Sequence, residues 1–280
     1  MKVYISADIE GVTGLVSWAQ CGRPNADHYD YRWARERMTA DVNAAIRGAK
    51  AGGATEVVVK DSHGNSKNLL IDALEPGTQL ISGWGSTTGG MMAGIDRTFA
   101  AALLVGYHAM AGTQGGIMEH TLTGNLHRMW INDMLAGEIG LSAAVAGCFD
   151  VPVVMISSDQ AGCDEAAKLL NGISTAAVKT GFGRYMGQCL HPSESEALIF
   201  EAARKGVESA SALDPWLPES PTTVKIEFNR SEEADHAARL HGTRRTDAYT
   251  IEVTGDTWAE VHRMVWAVVG AGGVGASAGN

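Results

Sequence analysis

Apolar runs separated by glycine-rich and polar stretches divide the first two-thirds of the chain into alternating strands and helices. Val3, Tyr4 and Ile5 open the first run, "KVYISADI"; "TEVVVK", "TQLIS", "AALLVGYH" and "VPVVMIS" follow at intervals. Such continuous apolar runs, unlike alternating ones, suit strands buried on both faces. Helix-like segments lie between them. In "YDYRWARERMTADVNAAIRGAKAGG", Met38, Val42, Ala45, Ile46 and Ala49 fall on one stripe, and Gly52-Gly53 ends the pattern. "GEIGLSAAVAGCF" reads as a helix of small residues, and Thr121 to Ile131 as a hairpin beside the sheet. The pattern predicts an α/β fold, a mostly parallel sheet covered by helices.

The last third has a different texture. Ser193 and Glu196 are placed to form a capping box before a helix carrying Ile199, Ala203 and Val207. A proline-rich link, "DPWLPESP", follows. "TVKIEF" and "YTIEV" then alternate apolar with polar, as strands wetted on one face do. The expected division is residues 1–190, an α/β domain, and 191–280, a smaller C-terminal α+β part ending in a helix from about Thr257, with the Gly/Ala-rich tail after Ala267 frayed. "GAGGVG", Gly270 to Gly275, matches the dinucleotide-binding pattern, but it follows a helix and has no room for another after it, so it carries no nucleotide site.

Composition narrows the function. The chain has 280 residues, 45% hydrophobic and 19% charged, an ordinary globular balance. A net charge of -10 disfavours phosphate backbones and anionic lipid, so no nucleic-acid partner is expected. No apolar run approaches the roughly 18 residues of a membrane span, so no membrane partner is expected either. Cys21, Cys148, Cys163 and Cys189 form no C-x-x-C pair, and Asp8 interrupts any apolar core of a signal peptide. The thiols are read as reduced and the protein as cytoplasmic.

In open parallel sheets, ligands sit beyond the carboxyl ends of the strands. The first strand delivers Asp8 and Glu10 there, two carboxylates that repel unless something positive lies between them. "TEVVVK" delivers Asp61, Ser62 and His63; "AALLVGYH" delivers His108; the glycine-rich loop after it delivers His120; and Glu138 opens the next helix. Singly, each has an ordinary structural explanation: turn former, packed histidine, or complement to a helix dipole. Together, Asp8, Glu10, His63, His108 and Glu138 form an oxygen and nitrogen set without thiolate, suited to catalytic zinc. Three carboxylates and two imidazoles exceed the needs of one ion, which points to two zinc ions per chain, Asp8 bridging them. Asp61 is expected to support His63 or shape its turn, Trp84 to wall a pocket, and Met91 and Met92 to pack.

The motifs "DIEGVTG", "DSHG", "LVGYHAMAGT", "GIMEHT" and "GEIGLSAAVAG…DVPVVMISSD", in this order, closely resemble the M55 family of zinc aminopeptidases. The resemblance is close over about the first 180 residues and loose beyond. It implies that Asp8, Glu10, His63, His108 and Glu138 are the metal ligands and His120 the catalytic histidine, as general base or nucleophile. It also implies two zinc ions, a ring-shaped homodecamer with active sites facing an inner cavity, and hydrolysis of short peptides or amino-acid amides with a free amino terminus, D-amino-acid peptides among them. Lys60 departs from the family, which often has Asn before "DSH"; a cation there bears on substrate preference or metal affinity. The rivals are a dinuclear phosphoesterase, for which only Lys60, Lys67 and Arg128 lie near the motifs, and a non-catalytic metal- or ligand-binding module, in which His120 would have no task.

Overall fold

The computed structural model describes residues 1–22, 29–85 and 89–277. β1 (Lys2–Ala7) leads to α1 (Tyr29–Ala51), β2 (Glu56–Asp61), β3 (Thr78–Ile81) and β4 (Ala101–Val105). A hairpin of β5 (Leu126–Ile131) and β6 (Met134–Leu135) precedes α2 (Glu138–Gly147), β7 (Val153–Asp159), α3 (Gln160–Leu169), β8 (Ser174–Gly183) and β9 (Met186–Cys189). Then come α4 (Pro192–Glu208), β10 (Thr222–Phe228), α5 (Ser231–Ala237), β11 (Thr243–Arg245), β12 (Thr250–Gly255) and α6 (Trp258–Ser277).

Seven strands form the main sheet, in the order β3-β2-β1-β4-β7-β8-β9. Neighbours are parallel except for the antiparallel β8–β9 pair at one edge. Val3, Ile5 and Ala7 face one core, with Met38 and Ile46 of α1 and Ile199 of α4. Tyr4 faces the other, with Ile139 of α2 and Val265 of α6. Burial on both faces explains the unbroken apolar runs of these strands. The chain winds from β1 outward through β2 and β3, then returns to β4 on the other side of β1. The exits of β1 and β4 therefore flank a topological switch point, the usual ligand position in such sheets.

The second sheet is antiparallel, in the order β11-β12-β10-β5-β6. Val224, Ile226 and Phe228 of β10 are buried while Lys225 and Glu227 are only partly covered, as their alternation predicts. The hairpin expected beside the main sheet lies here instead, with β5 paired to β10. The two sheets also do not sort at residue 190. β5 and β6 precede that point yet belong to the second sheet, and α4 follows it yet packs on α1, β7 and β8.

Two local expectations change. α4 is capped by His191, whose ring accepts the Ser193 N–H, with Glu194 returning to the His191 N–H. Pro192, pre-set for a first helical position, starts the helix two residues earlier than a Ser193 cap would. Glu196 instead faces Arg37 at 3.5 Å and Arg47 at 3.8 Å. The tail does not fray, since α6 runs to Ser277 and "GAGGVG" is helical; residues 278–280 lie outside the described residues. Its glycines permit close packing: a Cβ at Gly272 would stand 2.3 Å from the Phe228 ring, and one at Gly275 would stand 2.4 Å from the Glu232 carbonyl.

Candidate metal centre

Two glycines set the geometry where β1 and β4 end. Asp8 N–H donates to the Val105 carbonyl and Gly11 N–H to the Gly106 carbonyl, both at 2.8 Å. A Cβ at Gly11 would lie 1.7 Å from the Tyr107 carbonyl oxygen, and one at Gly106 would lie 2.3 Å from that of Asp8. Gly106 also has φ of +71°, which side chains other than glycine rarely adopt. The exit loops thus lie against each other, bringing Asp8 and Glu10 beside His108. On the other flank, β2 delivers His63. Asp61 accepts the Asn68 and Leu69 N–H groups at 2.6 and 2.8 Å, and the Asn68 amide donates to the His63 carbonyl. Asp61 therefore shapes the turn carrying His63.

Three carboxylates and three imidazoles alternate around a ring. His63 Nδ1 is 3.3 Å from Asp8 Oδ1 and 3.1 Å from Glu10 Oε2. His108 Nε2 is 3.5 Å from Asp8 Oδ2 and 3.2 Å from Glu138 Oε2. His120 Nε2 is 4.0 Å from Glu10 Oε1 and 3.7 Å from Glu138 Oε1. Each carboxylate faces two imidazoles, Asp8 those of His63 and His108. Glu138 opens α2 as expected, but its carboxylate turns inward and also accepts the Leu122 N–H at 2.6 Å. The structure brings all six residues singled out from the sequence together.

The outward nitrogens are fixed by main-chain carbonyls. His63 Nε2 donates to Cys21 at 2.9 Å, His108 Nδ1 to Ala109 at 2.9 Å, and His120 Nδ1 to Met118 at 3.1 Å. A backbone carbonyl behind the ring is the usual support of a metal-binding histidine. His120 stacks on His108 with centroids 4.1 Å apart, and Trp18 meets it edge-on at 5.1 Å. Its loop is tied down rather than free to move, because Ile117 N–H donates to Asp159 and Met118 N–H to the Arg184 carbonyl.

Burial opposes charge throughout the ring. Burial, with Glu10 alongside, pushes Asp8 up to about 7. Burial would also raise Glu138 and Glu10, but His108 holds Glu138 down at about 2, and His63 leads the histidines that bring Glu10 well below its usual range. Burial would lower His63 and His108; Glu10 outweighs it at His63 and Glu138 at His108, raising both. Burial, followed by the neighbouring His108, lowers His120 to about 4.

These residues fit zinc. His108 Nε2 is fully buried and makes no hydrogen bond although two carboxylates flank it. Asp8, Glu10 and His108, and likewise His108, His120 and Glu138, offer ligand atoms within 4.8 Å of one another. Hard and borderline dications match this oxygen and nitrogen set.

Asp8, Glu10, His63, His120 and Glu138 of the ring line a cavity of about 400 Å³. The lining also includes four apolar side chains, Trp84, Met91, Leu122 and Trp266. Trp84 was visible in the sequence, whereas Trp266, Met91 and Leu122 were not singled out as lining, since no local pattern links α6 to the end of β2. Among the described residues the cavity is lined by no Lys or Arg. The Lys60 ammonium donates to the carbonyls of Asp61 at 2.6 Å and Gly83 at 3.2 Å.

Comparison with known proteins agrees. The profile of the Peptidase M55 family, described as D-aminopeptidase, matches residues 1–267, so the likeness extends well past residue 180. The D-aminopeptidase of Bacillus subtilis (strain 168) is 35% identical over 268 residues, 95% of each chain. A solved Bacillus subtilis structure, described as a Zn-dependent D-aminopeptidase and self-compartmentalizing protease, superposes with a TM-score of 0.92 and 33% identity, over 97% of this chain and 98% of that one.

Proposed function

The chain belongs to peptidase family M55, the D-aminopeptidases, and we propose that it removes amino-terminal residues from short peptides and amino-acid amides with two zinc ions held by Asp8, Glu10, His63, His108 and Glu138. The observation that carries this reading is the alternating ring of carboxylates and imidazoles opening into the cavity. Zinc held there would polarise the scissile carbonyl and lower the pKa of water. The three carboxylates would share the ions' charge, and the carbonyls behind His63 and His108 would keep the ligand nitrogens aimed inward.

His120 is the proton-transfer group. Its Nδ1 must carry hydrogen to donate to the Met118 carbonyl, so in the neutral ring Nε2, which lies toward Glu10 and Glu138, is the unprotonated nitrogen. It is placed to take a proton during attack and return it to the leaving amine, with Glu10 and Glu138 steadying the charged ring between. Stacking on His108 and the edge of Trp18 hold it in register.

A cavity of this size admits a short peptide but not a folded chain. We assign the protein to the cytoplasm; among the described residues no helix is long and apolar enough to cross a membrane. A homo-oligomer, a decamer by family resemblance, is supported by the relative described as self-compartmentalizing and by the exposed Phe182, Tyr185 and Met186 on the β8–β9 hairpin. The test is turnover by zinc-loaded protein of D- and L-amino-acid amides, dipeptides, a denatured protein and a phosphate ester. Release of amino-terminal residues from the small substrates is expected. Efficient internal cleavage of the denatured protein, or selective turnover of the ester, contradicts the reading.

A further inference from the structure

The tryptophan part of the cavity lining is built rigidly. Trp266 of α6 donates from its indole N–H to His262 Nε2 at 3.0 Å. Burial lowers His262 to about 4, so it stays neutral and able to accept. Gly90 packs bare backbone against the indole; a Cβ there would lie 2.6 Å from Trp266 Nε1. Trp84 meets Trp266 edge-to-face, with centroids 5.2 Å apart and planes at 63°. The residue before Trp84 is itself anchored, since its carbonyl accepts from the Lys60 ammonium, which also lies 5.8 Å from the Trp84 ring centroid. An indole pair fixed by a hydrogen bond, a glycine seat and a buried cation is ordered before any ligand arrives. Apolar surface held open in this way favours a ligand group that covers it.

The direction of the wall selects the group. Met91 is buried, whereas Trp84 is 50% exposed, so the apolar lining runs from buried to open surface. An exopeptidase places the amino-terminal residue against the catalytic wall, and the leaving portion runs toward the opening. We propose that Trp84 and Trp266 form the subsite for the side chain just beyond the scissile bond, making the enzyme selective for peptides whose second residue is large and apolar, aromatic above all. Lys60 and His262 act as positioning residues, through Gly83 and the Trp266 N–H respectively. This inference rests on the peptidase reading above.

The test compares D-alanyl-glycine with D-alanyl-D-phenylalanine as substrates, their L-alanyl counterparts in parallel, and the reduced-amide analogues of each pair as non-hydrolysable ligands in calorimetry. Wild type is expected to favour the phenylalanine member by roughly tenfold or more in kcat/KM and in affinity. Trp84→Ala should shrink that ratio several-fold, and so should Trp266→Leu, which retains apolar bulk for folding. Lys60→Met should shrink it too, mainly through KM. A wild-type ratio near one, or a ratio unchanged in both tryptophan variants, overturns the subsite. If neither dipeptide is cleaved while the analogues keep a tryptophan-dependent affinity ratio, the subsite stands and the peptidase reading falls.

Discussion

Replacing Lys179 with methionine would show how strongly the strand behind the cavity governs the metal wall. Lys179 lies in β8 and is 2% exposed. Its ammonium donates to three main-chain carbonyls of one loop: Glu10 at 2.5 Å, Leu15 at 2.6 Å and Val12 at 3.0 Å. From the other side, Asp41 holds the same loop through the Thr13 N–H, at 2.9 Å, and the Thr13 hydroxyl. Methionine keeps much of the length and loses the charge. Three charge-assisted hydrogen bonds, each worth about 1.5–3 kcal/mol, disappear. The several kcal/mol spent desolvating the ammonium is recovered, leaving a net loss of about 2–4 kcal/mol. Because one acceptor is the carbonyl of Glu10 itself, the change also frees a carboxylate of the proposed metal site, and zinc affinity should fall about 10–100-fold, as for other supporting contacts. Ile226→Ala is the control: Ile226 is fully buried in β10 of the second sheet, and its loss costs a similar ~2–5 kcal/mol without touching the loop. Urea unfolding of metal-free protein gives stability, and competition with a chelator gives zinc affinity. Unchanged zinc affinity in Lys179→Met, or an equal loss in Ile226→Ala, would refute the reasoning.

His120→Ala should retain zinc and lower kcat by ~10²–10⁴, the usual range for general acid–base catalysis; loss of zinc would make His120 a ligand, and an unchanged rate a bystander. Zinc loading should release protons, because His63 and His108 are raised by their carboxylates in the metal-free ring and Asp8 stands at about 7. Bound metal favours the deprotonated forms, so affinity should rise with pH through neutrality and weaken below it. Calorimetry in two buffers of different ionisation heat measures the release, and a buffer-independent heat would contradict it.

The sheet and the cluster of polar residues at its edge were legible because one rule covers both. Strands buried on two faces read as unbroken apolar runs, and whatever polar groups follow them gather at one edge. Asp8, Glu10, His63 and His108 each stand just past such a run, and β1, β2 and β4 prove to be neighbours. What escaped depends on distant partners. β5 pairs with a strand about a hundred residues further on, which no local pattern records. The glycines of α6 suggested fraying when read alone, yet Gly272 and Gly275 are small because Phe228 and the Glu232 carbonyl press against them. Trp266 becomes a cavity residue only once that helix is packed. The restraints on the His120 loop come from Asp159 and Arg184, far along the chain.

The central claim is that Asp8 and its neighbours hold two zinc ions. The direct measurement is zinc per chain, by elemental analysis of protein loaded with excess zinc and freed of unbound metal, for wild type and Asp8→Ala. Asp8 faces both His63 and His108, so its removal should disturb both positions. The account predicts two ions per wild-type chain and fewer than one in the variant; a single ion in wild type, or two retained by Asp8→Ala, would contradict it.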